Sequence, residues 1–107
     1  PRMPPAVREA IANADAVFVS AASAWEVAIK QALGRLRLPD RFATGVEESG
    51  FEQLAVTFDH AERAGDLPPH HRDPFDRLLI VQARTEPLLL MTDVPLISLY
   101  AVQRIQW

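Results

Sequence analysis

The chain has 107 residues, 49% of them apolar, a size that fits one compact domain and excludes a second. It contains no cysteine, which excludes disulfides and thiolate metal sites and leaves oxygen and imidazole as the strong metal ligands. The net charge of -3 excludes a surface that attracts nucleic acid as a whole, so any such contact must be local. The apolar runs are far shorter than the roughly 20 residues of a membrane span, and no signal peptide opens the sequence, so we expect a cytoplasmic protein.

The first half of the chain predicts helices and strands in alternation. A short amphipathic helix is expected first, because apolar side chains recur at i, i+4 spacing, and a buried strand follows it. In chain order, the elements of this half are a helix at 5–13, a strand at 16–20, a helix at 23–33 stopped by Gly34, a weak helix at 41–49 ended by Gly50, and a strand at 51–57.

The second half continues the alternation around the strongest helix of the chain. Pro74 opens this helix, which covers residues 75–84, and Pro87 limits how far it can run. The other elements are a short helix from Asp59 to Gly65, a loop at 66–73, a strand at 88–91, a helical turn at 96–100 and an edge strand at 102–107. Strands that alternate with helices predict an α/β sandwich, in which helices flank a mainly parallel sheet.

Three acidic residues lie where such a fold can collect them. Glu26 falls in the first turn of the helix after the first strand, Asp93 follows the third strand, and Asp76 begins the helix that leads into it. Because ligands of parallel α/β sheets bind outside the carboxyl ends of the strands, we expect the three to meet at one edge. Asp76 also shares a helical face with an apolar stripe expected to face the sheet, so its carboxylate needs a partner; the stripe is Leu79, Ile80 and Ala83. Clustered carboxylates repel one another and therefore favour a hard divalent cation such as Mg²⁺ or Mn²⁺.

Glu26 also has two purely structural interpretations. Ser23 and Glu26 match a capping box, in which Ser23 caps the helix and Glu26 returns a hydrogen bond to the cap. Lys30 lies four residues after Glu26 and offers an ordinary ion pair on the helix surface. Either role would account for this acid without a metal.

The other acids have structural interpretations as well. Asp73 can cap the strong helix, and Asp76 then lies in its first turn, where acids favour the helix dipole. Asp93 can be a turn residue. His70 and His71 could form a zinc site with Asp73, but adjacent histidines in an extended loop point apart and no third imidazole is placed to join them.

The phrases that contain these acids resemble those of a known family. Ser20-Ala-Ala-Ser-Ala-Trp-Glu26, His71-Arg-Asp-Pro-Phe-Asp76-Arg-Leu-Leu-Ile and Thr92-Asp93 are similar to the motifs of PIN-domain ribonuclease toxins of the VapC type, and the likeness covers essentially the whole chain. The resemblance implies a PIN-like sandwich and an endoribonuclease that depends on Mg²⁺ or Mn²⁺ and often acts on tRNA. It also implies the toxin of a toxin-antitoxin pair, which a cognate antitoxin silences and which usually forms a homodimer.

Carried over residue by residue, the resemblance implies that Asp76 is the central metal ligand, with Glu26 and Asp93 as the other catalytic, metal-binding acids. Asp73 matches a position that is a helix cap first and an outer metal ligand second. Family members begin with a short apolar strand that ends in an aspartate, and nothing before Pro1 supplies it. We therefore expect one PIN-like domain over 1–107 that is incomplete at its N-terminus and lacks the first central strand.

Two questions stay open at the level of sequence. Arg72 or Arg77 could hold a substrate phosphate, but an external ion pair explains either residue equally well. The alternative to an enzyme is a noncatalytic α/β protein-binding module, or an inactive truncated toxin. In that case the acids are helix caps, and a partner helix covers the apolar surface of the module.

Overall fold

The computed structural model describes residues 4–70 and 72–86, together with the backbone of residues 90–92 and 104–106. Within these ranges the chain forms five helices and four short strands. Two compact units can be distinguished, one made of Pro1–Ala14 and Thr57–Trp107 and the other of Asp15–Val56. The strands pair in parallel in both units, which confirms the predicted α/β class.

In the unit Asp15–Val56, a strand leads directly into a helix. The elements are β1 (Phe18–Ser20), α2 (Ala21–Ala32), α3 (Phe42–Glu48) and β2 (Glu52–Leu54). β1 and β2 are parallel, with Ser20 opposite Leu54. Ser20 both ends β1 and caps α2, since its hydroxyl accepts a hydrogen bond of 3.0 Å from the N–H of Ala22. The N-terminus of α2 therefore lies at the carboxyl end of β1.

Both helices of this unit end at a glycine, as the sequence predicts. Gly34 has a φ of 71°, a left-handed conformation that costs glycine little. Its N–H bonds to the carbonyl of Gln31, and the N–H of Arg35 bonds to the carbonyl of Lys30, which together make a Schellman motif. The same pair of bonds ends α3 at Gly50, where φ is 75°.

Three of the element bounds predicted for this unit are wrong in detail. The strand expected at 51–57 covers only Glu52–Leu54. The strand expected at 16–20 begins only at Phe18, and Phe18 is 40% exposed rather than buried. The helix expected at 23–33 begins at Ala21, because Ser20 takes the cap position that the sequence assigns to Ser23. Ser23 is the third residue of α2, so the predicted capping box with Glu26 does not form.

The other unit is built on a pair of helices. Its elements are α1 (Pro5–Asn13), α4 (Phe58–Asp66), α5 (Pro74–Thr85), β3 (Leu90–Thr92) and β4 (Arg104–Gln106). β3 and β4 are parallel. Of the apolar stripe predicted on α5, Ile80 and Ala83 are buried and Leu79 is partly buried. Val81 and Gln82 are buried as well, so burial in the second half of α5 is not confined to that stripe. The helical turn predicted at 96–100 lies outside the described residues.

Polar contacts join α4 to α5 at both ends. At one end, His60 Nδ1 accepts from the N–H of Thr57 at 3.1 Å, which leaves Nε2 to donate to Glu86 Oε1 at 3.0 Å. At the other end, the guanidinium of Arg77 contacts carbonyls at the end of α4. The two helices therefore run in opposite directions, with the start of α5 beside the end of α4. None of the helices in the described part of the chain is long and apolar enough to cross a membrane.

Candidate functional site

The first turn of α5 places two of the predicted site residues side by side. Asp73 is the N-cap, and its Oδ1 accepts hydrogen bonds from the N–H groups of Phe75 at 2.9 Å and Asp76 at 3.2 Å. Pro74 follows as the first helical residue, where its missing N–H costs nothing. The helix cap predicted at Asp73 is confirmed.

Asp76 is the third residue of α5 and is partly buried. It precedes Ile80 by four positions, so its side chain lies beside the buried stripe of the helix. Asp73 and Asp76 are the N-cap and third residue of α5, and Asp73 Oδ1 lies 3.2 Å from the backbone nitrogen of Asp76. The two carboxylates can therefore approach one ligand together.

The chemistry of this pair fits a hard divalent cation. Both hydrogen bonds to Asp73 end on Oδ1, and within the described residues Oδ2 accepts none. Mg²⁺ is bound in proteins by one or two carboxylates, with water and substrate oxygens filling the other positions. Asp73 and Asp76 supply that number of carboxylates from a single turn.

Glu26 lies in the other unit, on α2. It is the sixth residue of that helix, about 7.5 Å along the axis from the first, and not in the first turn as predicted. The predicted ion pair with Lys30 is confirmed, with 3.8 Å between Nζ and Oε2. The side chain of Glu26 is 32% exposed and that of Lys30 is 55% exposed, so the pair lies at the surface.

The convergence of the acids stays a prediction. Asp93 lies outside the described residues, as does His71 of the zinc alternative. In the part of the chain that the structure describes, no group of three or more histidine or acidic side chains could hold a metal ion. Of the predicted acids, Asp73 and Asp76 share the first turn of α5 in the described part of the chain.

Arg77 has a role that the sequence interpretation missed. Its Nε and Nη2 donate to the carbonyl of Ala64 at 3.1 and 2.7 Å, Nη2 also donates to Leu67 at 2.8 Å, and Nη1 donates to Pro68 at 3.1 Å. Arg72, the other candidate for a phosphate contact, is exposed. The signal for this role was the proline pair that follows α4, because prolines have no N–H to satisfy the last carbonyls of a helix.

An apolar groove lies within the unit Asp15–Val56. It has a volume of about 710 Å³ and runs between α2 and α3. Small side chains of α2, such as Ala24 and Ala28, form one wall, and Phe42 and Val46 of α3 form another. Glu26, although it lies on α2, does not line the groove.

The sequence was compared with known protein families. The family model described as the PIN domain matches residues 4–93, which include all of the unit Asp15–Val56, part of the other unit and every acid of the predicted site. The chain belongs to the PIN domain family. PIN domains are generally nucleases and generally use divalent metals. No curated protein and no solved structure matches the chain significantly.

Proposed function

We propose that this PIN domain is a metal-dependent endoribonuclease and the toxin of a toxin-antitoxin pair in the cytoplasm. The observation that carries the proposal is the first turn of α5, where the cap Asp73 and the partly buried Asp76 present two carboxylates beside each other. The likeness of this turn and its flanks to VapC-type toxins supports ribonucleic acid as the substrate. The family match spans both units, which supports a single PIN-like domain over 1–107.

The proposed role of each acid follows from the resemblance to VapC-type toxins. Asp76 is the central ligand of the cation, and Asp73 is an outer ligand that also fixes the backbone of the turn. Glu26 and Asp93 contribute carboxylates from other elements. A bound Mg²⁺ or Mn²⁺ supplies Lewis-acid activation of water and neutralises charge on the scissile phosphate. The protein side chains then need only to hold and orient, and none of them acts as a nucleophile.

The proposed partners are the RNA substrate, a cognate antitoxin and a second copy of the chain. Because the net charge is -3, RNA must be bound by a local group of basic side chains, for which the exposed Arg72 is a candidate. The groove between α2 and α3 supports a protein partner, since an apolar cleft of this size suits side chains of an antitoxin segment.

The decisive experiment is RNA cleavage by the purified protein with Mg²⁺, with Mn²⁺ and with excess chelator. Loss of an outer-shell partner of a metal already costs about 10–100-fold in affinity or activity, so Asp76→Asn should lower the rate by at least about 100-fold. Asp59→Asn is the matched control, because Asp59 is also a first-turn acid but pairs with Arg63 on the exposed side of α4. Cleavage that survives Asp76→Asn or the chelator unchanged would rule out this site.

A noncatalytic protein-binding module is the second candidate. It is favoured by two observations, the cap formed by Asp73 and the ion pair of Glu26 with Lys30, since each gives an acid a structural role. Thermal melts separate the two functions. A metal site gains stability with added Mg²⁺, whereas acids that serve only as a cap and an ion pair show no gain specific to the divalent ion.

A further inference from the structure

We infer that Arg77 is a positioning residue for the carboxylate of Asp76, an inference that rests on the proposed metal-dependent activity. Arg77 directly follows Asp76 as the fourth residue of α5. Its guanidinium donates hydrogen bonds of 2.7–3.1 Å to the carbonyls of Ala64, Leu67 and Pro68. Arg77 thus links the turn that carries the acids to the end of the neighbouring helix.

The end of α4 needs this arginine. Its C-cap, Leu67, is extended, with φ of -62° and ψ of 148°, so the helix lacks the glycine motif that ends α2 and α3. Pro68 and Pro69 follow, and neither has an N–H to bond the last carbonyls of the helix. The guanidinium supplies these donors from another helix, and its positive charge suits the negative end of the helix dipole.

Hydrogen bonds to Asp73 also fix the backbone of this first turn. The N–H of Arg77 bonds to the carbonyl of Asp73 at 3.1 Å, and the side chain of Asp73 holds the N–H of Asp76. A planar fork with several bonded N–H groups restricts both the distance and the angle at which the first turn of α5 meets α4. The position of Asp76 therefore depends on Arg77, although Arg77 need not touch the cation or the RNA.

The test compares Arg77→Lys and Arg77→Met with wild type. Arg77→Lys keeps the charge but loses the fork, and Arg63→Lys is the control on the exposed side of α4, where Arg63 pairs with Asp59. Mn²⁺ affinity is measured by calorimetry and RNA cleavage by initial rates over a Mg²⁺ series. Both are recorded well below the melting temperature of each variant, so that folded protein is compared.

We expect Arg77→Lys to weaken Mn²⁺ binding by about 10–100-fold, the range seen when groups that orient a metal ligand are lost. The rate at saturating Mg²⁺ should stay within about threefold of wild type, because the ligands themselves remain, and Arg63→Lys should change neither quantity. Arg77→Met should weaken Mn²⁺ binding at least as much as Arg77→Lys. If Arg77→Met does not fold, Arg77→Lys alone decides the test.

Two results would overturn the inference. Unchanged Mn²⁺ affinity in Arg77→Lys shows that Arg77 does not position the ligand. In Arg77→Met, which removes the charge, a salt dependence of RNA binding that is shallower by about one unit of slope than in wild type identifies a phosphate contact instead. If wild-type protein itself binds no Mn²⁺, the proposed function fails and takes this inference with it, whereas wild-type binding that Arg77→Lys leaves intact overturns the inference alone.

Discussion

Replacement of Asp73 by asparagine and by alanine separates its two proposed roles. Asp73 Oδ1 accepts two backbone hydrogen bonds, from Phe75 and Asp76. Asparagine keeps an oxygen in that place and caps helices about as well as aspartate, but it carries no charge. Alanine removes both the cap and the charge. A role in capping alone and a role in metal binding therefore predict different responses to Mg²⁺ among the wild type, Asp73→Asn and Asp73→Ala.

The stabilities without metal follow from the cap. Loss of an N-cap costs about 1 kcal/mol, and loss of a charge at the helix N-terminus costs about 0.3–1 kcal/mol. Asp73→Ala should therefore lose about 1–2 kcal/mol, which in a domain of this size lowers Tm by roughly 5–10 °C. Asp73→Asn should lose only the charge contribution, a fall of about 2–5 °C.

The response to Mg²⁺ follows from ligation. With a Kd of about 1 mM, 10 mM Mg²⁺ stabilises the folded protein by about 1.4 kcal/mol, or roughly 6 °C. If Asp73 binds the ion, both variants should lose most of this gain, although their stabilities without metal differ. Differential scanning fluorimetry with and without Mg²⁺ gives both quantities. A full gain of about 6 °C in Asp73→Asn would refute ligation by Asp73 and leave the cap as its only role.

Three further predictions test the fold and the remaining acid. Gly34→Ala should destabilise by about 1–2 kcal/mol because φ is 71°, whereas Gly45→Ala, inside α3 with open space at the added Cβ, should stabilise by about 0.5–1 kcal/mol in urea denaturation. His60→Ala should cost about 2–4 kcal/mol, since a side chain that is 2% exposed and caps α4 is removed; a loss below about 1 kcal/mol would contradict this packing. Glu26→Gln and Lys30→Met should each lower the free energy of unfolding by about 0.3–0.5 kcal/mol, because each breaks the same ion pair. If the acids converge, only Glu26→Gln should weaken Mn²⁺ binding. Equal Mn²⁺ affinity in the two variants would contradict the convergence.

Sequence signals that act over one turn were sufficient for many of the elements. The bounds of α1, Pro5–Asn13, agree with the prediction, as do the glycine stops at Gly34 and Gly50. Asp73 caps α5 as predicted. In each case the deciding hydrogen bond joins residues at most five positions apart, so a short stretch of sequence is enough to predict it.

The errors occur where a distant segment decides the outcome. Ser20 and Ser23 can both cap a helix, and the sequence does not show which of them does. In the structure β1 stays extended through Ser20 because that residue pairs opposite Leu54, and the helix starts at once after the pair ends. Arg77 was ambiguous for the same reason, since its acceptors lie 9 to 13 residues away on another element.

The same difference between local and distant contacts explains why two of the four candidate acids, Asp73 and Asp76, could be placed in one turn from the sequence. Asp73 and Asp76 share one turn, so local structure alone brings them together. A helix N-terminus carries about half a positive charge and therefore opposes a cation, and Asp73 Oδ1 is already engaged by two N–H groups. Two carboxylates in this position should bind Mg²⁺ weakly by themselves. Tight binding thus requires acids from other elements, which is the contribution proposed for Glu26 and Asp93 and the reason that the Mn²⁺ affinity of Glu26→Gln is informative.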